Sequence, residues 1–164
     1  MTLYDFCVLL SDSNFGTSLR ESQLMFPVIE GIHVLGLAAS VGAIVLLDLR
    51  LTGLGIRSAT PGQIMRQLKP WYLTGFAIMF ITGILLFWAE AEKCYRSPTF
   101  RWKLVFLVLA GINAAYYEVK FVPKMDSWDG QSSLPSGAKL VGWCSLIFWT
   151  LVVGFGRWTA YGLK

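Results

Sequence analysis

Polar residues in this chain fall in clusters, and four apolar stretches separate them. The first stretch runs from Pro27 to about Leu47 and contains two ionisable residues, Glu30 and His33. The second, Trp71 to Ala89, has no charge. The third has an uncharged core from Leu104 to Tyr117, flanked by Lys103, Glu118 and Lys120. The fourth runs from Leu140 to Gly156 and stops at Arg157. A helix needs about 20 residues to cross hydrocarbon, with a range of roughly 17–25. The first, second and fourth stretches meet this. The third is short, but its flanking lysines can snorkel to the interface. Trp71, Trp88, Trp102, Trp143 and Trp158 stand near the ends, as an aromatic belt requires. The pattern predicts an all-α, integral membrane four-helix bundle forming one domain over residues 1–164. Its spans are expected at about 27–48, 71–89, 103–120 and 139–157. Leu3, Phe6, Leu9 and Leu10 suit one face of a short N-terminal interfacial helix. A loosely ordered tail is the alternative. Asp5 and Asp12, with no basic start, argue against a signal peptide.

Composition sharpens this. Hydrophobic residues are 55% and charged residues 15%, against roughly 45–50% and 25% in soluble domains. The shortage of charge is the stronger argument against a soluble globule. One histidine and three cysteines exclude zinc sites that need two or three histidines from one chain. The pI of about 9.1 does not imply nucleic acid, because the basic residues sit at span ends, where anionic lipids attract them. No GxxxxGK[ST] or GxGxxG element is present, so no phosphate cradle is expected. The loop Asp126 to Gly137, with Gly130 and Pro135, has the most turn-prone composition.

Orientation rests on Lys and Arg. The loop after the first span holds Arg50, Arg57, Arg66 and Lys69 without an acid, whereas the N-terminal tail holds only Arg20. The first span usually dominates, which places the N-terminus outside. Lys120, Lys124 and Lys139 add to the inside. Lys93, Arg96, Arg101 and Lys103 oppose this from the second loop. With Arg157 and Lys164, the two sides tie at seven each. Both termini are expected on the periplasmic side of a bacterial inner membrane.

Ionisable residues inside a span are functional candidates by default. His33 lies six residues into the first span, about 9 Å below its start at 1.5 Å per residue. Glu30, three residues earlier, shares its face. Thr82, Gly83 and the stretch Thr150 to Gly154 reach similar depth, with Glu90, Lys93, Lys103 and Arg157 just above. Imidazole ligates haem and metals and transfers protons. The bland alternative is a hydrogen bond to Glu30 or to a neighbouring helix. Gly75, Met79 and Gly83 form an i, i+4, i+8 stripe that admits either another helix or a flat ring. A bis-histidine haem needs one His33 from each of two chains. Met79 or Met25 is the alternative axial ligand. A copper site from Met25, His33 and an outer cysteine is also chemically sound.

Other polar residues invite structural readings. Cys7 and Cys94 both fall on the expected outer side, where an oxidising compartment permits a disulfide. Two unrelated thiols explain them equally well. Cys144 reads as a packing residue. Asn113 reads as a hydrogen bond between helices. Arg50 favours the negative end of the first helix and Asp48 opposes it. Asp48 is therefore expected to have a basic partner, Arg50 or Lys69.

The run FPVIEGIHVLGLAASVGAIVLLDLRLTGLG (Phe26 to Gly55) resembles the first span of a family of uncharacterised bacterial four-helix inner-membrane proteins. So do Leu68 to Tyr95 and Ser145 to Gly162. That family is distantly similar to the membrane domain of copper-resistance D proteins. The most specific pieces are Glu30 and His33 with Gly36, the triplet Asp48-Leu49-Arg50, and Gly156-Arg157-Trp158. The resemblance implies a helical inner-membrane bundle and points to copper or haem at membrane histidines. It carries no established reaction. The third span reads Asn113-Ala114-Ala115-Tyr116-Tyr117-Glu118, with no histidine after Asn-Ala, which puts a two-histidine site within one chain in doubt.

The leading functional expectation is haem b or a metal at His33, in electron transfer or copper handling. The second is a non-catalytic subunit of a larger membrane complex, and the third a small oligomeric transporter. Lipid, a second copy or a larger complex are the expected partners. An enzyme with covalent catalysis is the weakest reading, because no Ser-His-Asp or Cys-His pairing is suggested.

Overall fold

The computed structural model describes residues 2–55, 59–128 and 134–162. Arg57, Gly130 and Lys164, which enter the reading of charge and loops, lie outside the described residues. The described chain is helical and runs α1 (Leu3–Ser11), α2 (Asn14–Glu21), α3 (Met25–Thr52), α4 (Pro61–Ala89), α5 (Ala91–Arg96), α6 (Pro98–Lys120), a 3₁₀ segment (Val122–Trp128) and α7 (Ser136–Gly162). Four of these, α3, α4, α6 and α7, are long and apolar enough to cross a membrane.

Each long helix extends past its apolar stretch because local signals set its ends. Thr60 and Gln63 form a capping box, and Pro61 opens α4 with its fixed φ. Ser97 caps Phe100 and Pro98 opens α6, which brings the third helix to 23 residues. The third span is therefore longer than its uncharged core suggests. Gly53 ends α3 at φ 85, the left-handed conformation that favours glycine.

The four helices run up and down. α3 packs chiefly on α4, α6 on α7, and α3 on α7. The central pair is α3 and α7: a third of each apolar window is buried, against 17% for α4 and 11% for α6. One apolar cluster, including Leu47, Leu51, Met65, Tyr117, Phe121 and Trp128, fills the end where α3 meets α4. A second, around Val41, Ala110, Trp149 and Val152, fills the middle.

The opposite end is closed by α1, α2 and α5, so the N-terminus is a folded cap. Thr2 and Asp5 form a capping box that starts α1. Arg20 donates to the carbonyls of Ser11 (3.1 Å) and Ala89 (3.2 Å). Trp88 Nε1 donates to Ser13 Oγ at 3.1 Å, which turns this tryptophan into the cap. Trp71, Trp102, Trp143 and Trp158 remain exposed. Leu3, Phe6 and Leu9 stay on the outer face of α1, an apolar stripe of the kind an interfacial helix needs.

Candidate functional site

The histidine sits where α3 and α4 touch by backbone. A Cβ on Gly75 would lie 2.7 Å from Ser40 N and 2.8 Å from Gly36 O, so only glycine permits the crossing. Ser40 Oγ lies 2.8 Å from Gly36 O and 3.1 Å from Met79 Sδ. Two turns on, the His33 ring lies on Gly83, where a Cβ would be 3.2 Å from His33 Cε1. The stripe of Gly75, Met79 and Gly83 is thus filled by α3 and by the imidazole itself. At Gly75 the α3 backbone approaches too closely for a flat ring to lie between the two helices.

Hydrogen bonding fixes the ring. His33 Nδ1 is 2.9 Å from Thr82 Oγ1. The Thr82 hydroxyl lies 2.6 Å from the Ile78 carbonyl, which can only accept. Its single proton goes there, so Thr82 accepts from His33 and the Nδ1 proton is assigned. The Met79 carbonyl also lies within hydrogen-bonding reach of the ring. Nε2 then carries a free lone pair and has no hydrogen-bond partner among the described residues. An imidazole held at Nδ1 with Nε2 open is the arrangement of a metal-ligating histidine.

The other expected ligands fall differently. Met79 of α4 has its sulfur 3.1 Å from Ser40 Oγ of α3. Met25 is exposed at the start of α3, about 12 Å along the helix from His33. Glu30 is exposed and makes no hydrogen bond or ion pair with the described residues, because the ring has turned toward α4. Lys103 of α6 runs along Gly156 of α7 and acts electrostatically on both His33 and Cys94. Arg157 points away from this cluster and stacks on Tyr161 of its own helix, 4.4 Å from the ring centre. Among the described residues, no three His, Cys, Asp or Glu gather as a metal site.

Two cap cysteines approach each other. Tyr4 of α1 contacts Glu92 (2.9 Å), Arg96 and Tyr95 of α5, while Ser11 is bridged to Ala89 by Arg20. α1 and α5 are therefore antiparallel, with Cys7 opposite the middle of the pair. Cys7 and Cys94 are both buried and both free thiols. Burial, then Glu90 and Cys7, push the Cys94 thiol up to about 11. At neutral pH it is protonated and a poor nucleophile.

At the other end, Asn113 Nδ2 donates to the Val141 carbonyl of α7 at 3.1 Å, a bond between helices as its residue type suggested. Neither expected basic partner pairs with Asp48 among the described residues. Arg50 Nε donates to the Ala59 carbonyl at 2.7 Å, and Lys69 pairs with Glu118 at 2.7 Å. Arg50 is two residues on, about 200° around the helix, so it leaves the bundle on the side opposite Asp48. Asp48 instead meets Ser145 of α7. Nothing in the sequence marks Ser145 for this role, because it depends on the rotation of α7. Thr82 was foreshadowed by depth counting alone.

A model of a family of unknown function (DUF6644) matches residues 24–162, so the chain belongs to that family. No curated protein and no solved structure matches it.

Proposed function

We propose that this member of a family of unknown function is a bacterial inner-membrane protein that binds haem b or copper through His33. Electron transfer or copper handling is the activity that follows, in line with the resemblance to the copper-resistance D membrane domain. The observation that carries this reading is the His33–Thr82 hydrogen bond at 2.9 Å, which leaves Nε2 free. His33 would hold the iron or copper, and the bound group would supply one-electron redox chemistry. Thr82 and the Met79 carbonyl fix the tautomer, and Gly83 gives the ring its place. A second copy of the chain would supply the second imidazole. α6, the least buried long helix, has the exposed face that such pairing or a larger complex needs.

Purified protein should show a Soret band, or copper by elemental analysis. No Soret band together with no bound iron or copper overturns the reading. Thr82→Val should keep the fold and weaken ligand affinity roughly 10–100-fold, the usual cost of losing an outer-shell partner. Titration of the apoprotein with haem or Cu(I) measures it.

We place both termini in the periplasm. There the oxidising compartment would convert the Cys7 and Cys94 thiols, free in this structure, to a disulfide. Non-reducing electrophoresis after maleimide–polyethylene glycol labelling should then find two of the three cysteines protected. Protection should be lost on reduction and unfolding. Three labelled thiols in unreduced, unfolded protein would contradict this.

A further inference from the structure

Asp48 is an acid the histidine site does not use. It lies 15 residues beyond His33 on α3, about 22 Å away along the helix. It is 4% exposed. Ser145 hydrogen-bonds its carboxyl, and Oδ2 has no partner among the described residues. α7 comes close at this point because Gly142 has no side chain. A Cβ there would be 3.2 Å from Leu51 Cβ and 3.4 Å from the Asp48 carbonyl.

Among the described residues, no ion pair compensates this carboxyl. On its own helix, Arg50 is turned to Ala59. On α4, Lys69 is paired with Glu118 of α6. From α6, Tyr117 is near enough to Asp48 to interact electrostatically, but its hydroxyl points to Met125 Sδ at 3.7 Å. Tyr72 of α4 acts electrostatically on Tyr117. α7 offers Ser145. The described residues give Asp48 no ion pair. A buried ionised carboxylate with one hydrogen bond and no cation is strongly disfavoured, so it must take up a positive charge. A metal cation needs several oxygen ligands. Here one carboxyl and one hydroxyl are the identified donors, and no cluster of three acids, histidines or cysteines is present among the described residues.

We propose that Asp48 is a proton-binding site, held as the neutral acid where α7 packs on α3. Because burial between α3 and α7 is what disfavours the charged form, protonation of Asp48 and α3–α7 packing are linked. By the sign of that linkage, packing is favoured at low pH and weakened as pH rises through the titration of Asp48.

The test is infrared difference spectroscopy of the full-length protein in lipid nanodiscs during a pH titration. Carboxyl-labelled aspartate identifies the band. At neutral pH a protonated carboxylic-acid C=O stretch should be present. It should be absent in Asp48→Asn and shifted in Ser145→Ala. The labelled wild-type band decides the matter even if Asp48→Asn folds poorly. Only carboxylate bands at neutral pH, an acid band unchanged in Asp48→Asn, or carboxylate bands that shift with sodium would overturn the proposal.

Discussion

If His33 holds haem or copper as proposed, replacing it with alanine should abolish binding of that group while the bundle stays folded. The side chain supplies the free Nε2, and no second histidine exists in the chain to replace it. Its loss removes the ligand completely, and in a symmetric pair it removes both imidazoles at once. The fold should survive because His33 is only partly buried, and the helix crossing is made elsewhere by Gly36, Ser40 and Gly75. The absorption spectrum, metal content and helical circular dichroism of the variant check both halves. A chromophore retained in His33→Ala would move the site to another residue.

Replacing Gly75 with valine should be the most damaging change to the bundle. Its Cβ would enter the space of Ser40 N and Gly36 O, which are backbone atoms and cannot swing aside. α4 would have to move off α3 along the crossing, which also carries Ser40 to Met79 and His33 to Thr82. Overpacking of this kind costs about 3 kcal/mol. Gly42→Ala is the control, since nothing lies within 4 Å of a Cβ there. Thermal or detergent unfolding should separate the two variants clearly. Equal stability would mean that α3 and α4 do not cross at Gly75. Because the crossing positions His33, Gly75→Val should also reduce ligand binding.

The parts of this protein legible in its sequence are those that depend on neighbours along the chain. Four apolar stretches show as four long helices. Their ends follow from Thr60 with Pro61, Ser97 with Pro98, and Gly53, each a local device. The sequence also singles out His33, because a lone imidazole in an apolar helix is conspicuous at any rotation. It does not show that the Gly75–Met79–Gly83 stripe is already occupied. That stripe reads the same whether a helix or a flat ring lies on it.

What the tertiary structure decided is which face of each helix meets which neighbour. α3 is apolar around most of its circumference, so no amphipathic pattern marks the side that packs. The fit of small residues sets that side, at Gly36 against Gly75 and at Gly142 against Leu51. That rotation turns His33 to Thr82 of α4 and Asp48 to Ser145 of α7, and it leaves Lys69 paired with Glu118. Hydropathy is a property of one chain segment. The rotation of a helix about its axis is a property of two helices in contact, and only their packing fixes it.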